Sequence, residues 1–379
     1  MKELKMVSKS VCVVVLILVL FSTCGFFNNK GRFVTLDLTS TDGNQPVKIN
    51  NNEVFFAGGL EGMGFHEPIP AKIYNVDTKS MISLGVTMNY PRSGYGAIKY
   101  NENNILIVGG FCAYNKYGKD LDCSKLAEIY DIKEKKFTRI SDTNLSYKSN
   151  INTILLKDGR VFIYSDGMFE IFKPQNKSFS LISKVKKSLY KSTSGNTILQ
   201  NKYTNNKFLI SRAILLDENE ILILGELAGN YATKMEILNV NTGEITDIPI
   251  DKGFLSYSAV KISDGSVLSF GLGKDRNQIN RFDPKERKIY YMQQAPKALI
   301  GSALLLDDGT IFVGYGTINS GDIFYPGTSL IYAIYDYRNN KIYNYKISHK
   351  DFYRPYLIPM QGKLLIIGYE NTKSMLYKY

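Results

Sequence analysis

Apolar and polar positions along the chain recur in one order seven times. A short apolar segment meets a tight turn and then a second apolar segment, within 47–59, 97–110, 153–164, 213–225, 259–271, 303–314 and 356–368. Three of the turns read Lys157-Asp158-Gly159-Arg160, Ser263-Asp264-Gly265-Ser266 and Asp307-Asp308-Gly309-Thr310. Asp-Gly between apolar runs predicts a β-hairpin, because the turn needs a residue that tolerates positive φ. A second signature follows each hairpin, an aromatic residue or Leu with another large apolar residue seven positions on. The pairs are Tyr74/Met81, Tyr130/Phe137, Phe172/Phe179, Leu238/Ile245, Phe282/Ile289 and Tyr335/Ile342, with turn residues such as Asn239-Val240-Asn241-Thr242-Gly243 between them. Each repeat therefore predicts four strands, a to d, in an all-β chain.

The seventh repeat reaches Tyr377 and has no partner seven positions on. Its missing d-strand is expected at the other end. Gly31-Arg32-Phe33-Val34-Thr35-Leu36 resembles Lys135-Lys136-Phe137-Thr138-Arg139-Ile140 and precedes the first a-strand. An N-terminal strand completing the last repeat closes a ring and removes exposed sheet edges, whereas an open solenoid would want polar caps at both ends.

Gly58-Gly59, Gly109-Gly110, Ala127-Glu128-Ile129-Tyr130-Asp131 with Phe137, and Pro91-Arg92-Ser93-Gly94-Tyr95-Gly96-Ala97 resemble the kelch repeat. The resemblance covers 33–379 and implies a seven-bladed kelch-type β-propeller. Residues 24–379 divided by seven give about 51 per repeat, near the kelch period of ~50. Two departures stand out. The diglycine is intact only in the first two repeats, and the usual strand-d Trp is replaced by Phe, Met or Ile in a chain with 0 Trp, 27 Tyr and 20 Phe. The Trp-Asp pairs of a WD40 propeller are lacking altogether.

Ahead of the repeats, Lys2, Lys5 and Lys9 precede an apolar run from Val11 to Phe21. Eleven residues of helix rise about 16 Å, against a hydrocarbon core of roughly 30 Å, so the run has the length of a signal peptide rather than a spanning helix. Leu20-Phe21-Ser22-Thr23-Cys24 resembles the lipobox of bacterial lipoproteins, which implies a signal peptide over 1–23, lipidation of Cys24, a short tether over 24–32 and one propeller over 33–379. An ordinary cleaved signal and an uncleaved anchor are the alternatives. The expected location is the bacterial cell envelope, with the protein exported and lipid-anchored to membrane on the periplasmic side or at the cell surface. Of the 4 Cys, Cys112 and Cys123 fall in the body and within one segment, which makes a local disulfide the expectation in an oxidising compartment.

In a four-stranded blade the a–b and c–d turns share one face of the disc, and the b–c loops and d–a connections share the other. The long segments, 60–70, 111–126, 227–234 and 317–331 among b–c loops and 183–207 among d–a connections, belong to the second face. Function concentrates on loops held by a rigid scaffold, so this is the candidate binding face. Tyr114, Tyr117, Tyr231, Phe324 and Tyr325 lie in its loops, where aromatic rings either stack on sugars, anchor a protein partner or pack their own loops. Arg92, Arg212 and Arg354 precede or open a-strands near the central channel. They suit a carboxylate or phosphate, or, as the kelch resemblance implies, bonds to neighbouring loop carbonyls. His66 beside Glu67 is an acid/base candidate.

Charge changes the picture little. The net charge of +12 falls to +10 once residues 1–23, with three Lys and one Glu, are set aside. Export argues against nucleic acid as a partner, and a basic body suits acidic polysaccharide or an anionic membrane surface. With 2 His in the chain, no metal centre is expected. No catalytic constellation and no cofactor motif is present. The leading expectation is a monomeric, non-enzymatic binding module for a glycan or protein, attached to the membrane through its lipid. The alternative is a periplasmic sugar-processing enzyme resembling kelch-type sialic acid mutarotases, with Arg92, Arg212, Arg354 and Glu67 as its available set. A copper-radical oxidase on a kelch scaffold requires paired Tyr, a cross-linked Cys and two His, for which Cys112 and His66 would have to serve.

Overall fold

The computed structural model describes residues 32–36, 38, 45–60, 68–112, 122–148, 151–165, 168–182, 189–191, 197–199, 208–227, 233–250, 256–271, 278–294, 302–316, 330–346, 356–367 and 374–379. These residues form seven four-stranded antiparallel sheets, arranged as the blades of a β-propeller. Six blades are continuous in sequence. The seventh joins Tyr356–Met360, Lys363–Ile367 and Met375–Lys378 to Arg32–Thr35 as its outermost strand.

The seven-residue spacing has a direct structural meaning. In every blade the two marked residues are cross-strand partners on strands c and d: Tyr74 with Met81, Tyr130 with Phe137, Phe172 with Phe179, Leu238 with Ile245, Phe282 with Ile289 and Tyr335 with Ile342. Tyr377 pairs with Phe33, which supplies the seventh pair from the other end of the chain.

Seven hydrophobic clusters fill the spaces between blades. One of them decides closure: Val54, Phe56 and Tyr74 of the first blade pack with Ile358, Met360, Leu365 and Ile367 of the last and with Leu36 and Leu38, which follow the closing strand. An open arc of seven blades would leave that interface bare. Tyr and Phe take up the volume that Trp would fill, with Tyr74, Tyr130, Phe172, Phe282, Tyr335 and Tyr377 all fully buried on strand c. Ring pairs such as Phe55 with Tyr130, 4.4 Å apart and stacked, join one blade to the next.

The turns repeat as faithfully as the strands. The Asp-Gly hairpins are three-residue loops, in which Gly159 N donates to Leu156 O and Leu156 N to Arg160 O; Gly159, at φ 86°, takes the left-handed position. Strands c and d are joined by turns that open on Asn75, Asp131, Asn239, Asp283 or Asp336, whose Oδ1 accepts two backbone amides. These turns end at left-handed φ on Lys79, Lys135, Gly243, Arg287 and Asn340.

Candidate functional site

The two faces of the ring are built differently. On the short-turn face, polar side chains stitch each blade to its neighbour. Arg160 Nη2 donates to Asn241 Oδ1 at 2.7 Å, Arg287 pairs with Glu220 at 3.3 Å, and the Ser263 and Tyr337 hydroxyls meet at 2.9 Å. Gly362 N donates to Asp307 Oδ2 at 2.8 Å, Asn51 Nδ2 to Gln361 Oε1 at 3.2 Å, and Lys363 pairs with Asp77. A recess of about 410 Å³ opens here, lined among others by Lys48, Asn51, Asp307, Gln361 and Tyr379. Most of its polar groups are already engaged: Asp307 with Gly362 and Tyr379, Asn51 with Gln361.

The long-loop face carries added structure instead. Gly59–Leu60 pairs with Pro68–Ile69, Arg92–Ser93 with Phe111–Cys112, and Leu189–Lys191 with Thr197–Leu199. The last ribbon lies inside the 183–207 connection, which sequence patterning left without strands. Cys112 and Cys123 form a disulfide, with Cα atoms 5.7 Å apart. Beside it Asp122 Oδ1 accepts from Ser124 N at 3.2 Å and Oδ2 from Ser146 Oγ at 3.1 Å. Burial pushes the Asp122 carboxyl up, but the donors of Ser124 and Ser146 outweigh it and hold it below its ordinary value.

The first glycine of each diglycine is required by what surrounds it. A Cβ on Gly58, at φ 81°, would sit 2.0 Å from Ile69 O, and one on Gly109, at φ 66°, 2.5 Å from Tyr147 O. Glycine is needed where a loop folds back across the end of strand b.

Arg92 is sealed inside its blade. Its guanidinium is fully buried, so it offers no surface to a ligand. Nε donates to Gly109 O at 2.8 Å, and Nη1 to Tyr90 O at 2.9 Å and to Glu128 Oε1 at 2.5 Å. Of the two uses open to such an arginine, these bonds describe the structural one. Glu128, also fully buried, further accepts from Asn89 N at 2.9 Å and Asn89 Nδ2 at 2.8 Å. A buried carboxylate on strand c thus anchors the connection arriving from the preceding blade.

The next blade repeats this anchor with one change. Asn144 N and Nδ2 donate to Glu170 Oε2 at 3.1 and 2.8 Å, but Tyr147 stands where Arg92 stands in the other connection. The Tyr147 hydroxyl and Glu170 Oε1 are buried without a hydrogen bond of normal geometry. Burial raises Glu170 above the ordinary carboxylate value, the Asn144 donors opposing it only in part. The fold therefore holds the Glu170 proton more tightly than the unfolded chain does. Its stabilising contribution is full below the ordinary Glu value of about 4.3 and is lost as pH rises through the raised value. Melting curves from pH 4.5 to 8 should show this decline in the wild type and a shallower one in Glu170→Gln. Equal slopes would assign the effect elsewhere.

Arg212 differs from Arg92. It lies on the innermost strand Phe208–Leu215 and is half-buried, and Nη2 reaches across to Ala303 O, two blades on, at 3.3 Å. Burial lowers its guanidinium below the ordinary value, with only Tyr164 acting against it. Tyr164, whose hydroxyl accepts from Ala213 N at 3.1 Å, escaped sequence reasoning, as did Glu128, Glu170 and the exposed Phe111. The Ala-Glu-Ile-Tyr-Asp match could have pointed to Glu128. Cys24, His66, Glu67, Tyr114, Tyr117, Tyr231, Phe324, Tyr325 and Arg354 lie outside the described residues. Among the described residues no helix is long and apolar enough to cross a membrane, and no cluster of metal-ligating side chains occurs.

The chain matches no protein-family model and no curated protein. It does match solved structures, among them a fungal alcohol oxidase of the AA5 family in complex with copper, with a TM-score of 0.66 over 92% of this chain and 76% of that one. At 12% identity the likeness is one of fold. The propeller is shared. The disulfide in this propeller is consistent with an extracellular or periplasmic location.

Proposed function

We propose that the protein is an exported, lipid-anchored propeller of kelch type that binds a glycan or protein through its long-loop face, without catalysis. The division between the faces carries this reading: polar groups on one face are spent on joining blades, while ribbons and a disulfide stiffen the loops of the other. Rigid display of variable loops is how scaffolds present binding residues.

The enzymatic readings have less support. A sugar-processing site drawn from Arg92, Arg212, Arg354 and Glu67 loses Arg92 to its buried pair with Glu128. Copper-radical chemistry would need Cys112 as its cross-linked cysteine, and Cys112 is bonded to Cys123. Cys112 is therefore not available for that cross-link.

A glycan array and a pull-down with residues 24–379 test the proposal. Tyr114→Ser/Tyr117→Ser and Phe324→Ser/Tyr325→Ser variants should lose at least tenfold in affinity while melting as the wild type does. Unchanged binding in both would remove the face from consideration. Independently, Cys24→Ser should move the protein from the membrane to the soluble fraction, and retention on the membrane would end the lipid-anchor reading.

A further inference from the structure

The innermost strands of the seven blades, Val47–Lys48, Gly96–Lys99, Asn152–Leu155, Phe208–Leu215, Ser256–Lys261, Ser302–Leu305 and Tyr356–Met360, surround the ring axis. Together they contain four cationic residues, Lys48, Lys99, Arg212 and Lys261, and not one Asp or Glu. Two of the cations are committed near the short-turn face, where Lys99 Nζ donates to Ile49 O at 2.9 Å and Lys261 Nζ to Leu216 O. Lys48 lines the recess on that same face.

Arg212 is deeper. By register it sits opposite Leu224, as Gly96 sits opposite Val108 and Asn152 opposite Tyr164, each three residues past the strand-b residue that pairs with the marked residue of strand c. Around that level neutral side chains satisfy the free backbone edge at Ala97, Gln45 accepting from Ala97 N at 3.0 Å and Thr153, one residue beyond Asn152, donating to Ala97 O at 3.4 Å. A neutral side chain is enough for that task. Arg212 performs it at Ala303 with one bond of 3.3 Å, leaving most of a five-donor fork and a whole positive charge without a carboxylate among the described residues.

A half-buried guanidinium in a wall with no carboxylate is more demanding to keep than the neutral residues at equivalent positions, and it is shaped for a planar or tetrahedral oxyanion. We propose that the channel of this propeller receives the oxyanion of an acidic saccharide, with Arg212 as the group that captures it. This rests on the glycan-binding form of the proposed function and names the ligand's chemistry. A channel wall with four cations and no carboxylate on its described innermost strands adds attraction at range, so binding should weaken steeply with salt.

Calorimetric titration of residues 24–379 with glucuronate, glucose 6-phosphate and glucose tests this. At low salt at least one of the charged sugars should bind ten times tighter than glucose; which of the two leads tells carboxylate from phosphate. Arg212→Gln should lose that tenfold preference while its circular dichroism and melting stay those of the wild type. Arg212→Lys, which keeps the charge without the fork, should fall between. Should Arg212→Gln fail to fold, the Lys variant and a wild-type titration at 50 and 500 mM NaCl decide. The proposal is overturned by no preference for either charged sugar, by an Arg212→Gln variant that keeps it, or by affinity indifferent to salt. Neutral glycan or protein binding that survives all three leaves the loop-face reading standing alone.

Discussion

Removal of residues 24–38 should abolish the monomeric fold. Arg32–Thr35 forms a four-residue ladder with Met375–Lys378, and Phe33 rests 4.7 Å from Tyr377 and 4.8 Å from Tyr332. Leu36 and Leu38, each 2% exposed, then enter the cluster between the last and first blades. Burial of an apolar side chain contributes about 1.5–3 kcal/mol, so the three together contribute on the order of 5–8 kcal/mol, comparable to the net stability of a domain. Without the strand, Met375–Lys378 becomes an open, apolar edge inviting intermolecular pairing. A chain starting at residue 39 should elute as aggregate and lack a cooperative melt. A monomer melting with the protein that starts at residue 24 would refute ring closure as the source of stability. The milder Phe33→Ala should lose about 2 kcal/mol, since its ring is half-buried.

Arg92→Ala should destabilise the protein by about 3–5 kcal/mol, because it leaves the Glu128 carboxylate fully buried without its cation. The penalty belongs mostly to the orphaned charge rather than to the pair. Removing that charge as well, in Arg92→Ala/Glu128→Gln, should therefore recover part of the loss. Urea denaturation of the wild type, the two single variants and the double variant measures both quantities. If the double variant is as unstable as the sum of two single losses, the two side chains act independently and the pairing is not what holds this connection. Any loss of ligand binding in Arg92→Ala should follow unfolding, not precede it.

The fold was legible to an unusual degree, and for a physical reason. Cross-strand partners on c and d fall seven residues apart because the turn between them keeps one length in every blade, and the marked residue on c must fill an inter-blade core. Spacing therefore encoded register, down to Phe33 with Tyr377. The local disulfide was legible too, from two cysteines in one segment. What patterning could not reveal was the use of polar residues. Arg92 and Arg212 look alike in the chain, each near the start of an inner strand, yet one is sealed against Glu128 and the other crosses to Ala303. That difference depends on a partner 36 residues away in one case and 91 in the other. The Glu170 and Tyr147 contact was hidden for the same reason, since nothing local marks Tyr147 as standing in an arginine's place.

The closing strand also sets a direction. Strand d of any blade starts at the short-turn face, and Arg32 pairs with Lys378, beside Tyr379, whose amide donates to Gly362 O in the last a–b turn. Arg32 thus sits at the short-turn rim of the disc. The ring is thus latched shut from its stitched side, and the ribbons and the disulfide lie across the disc from the latch.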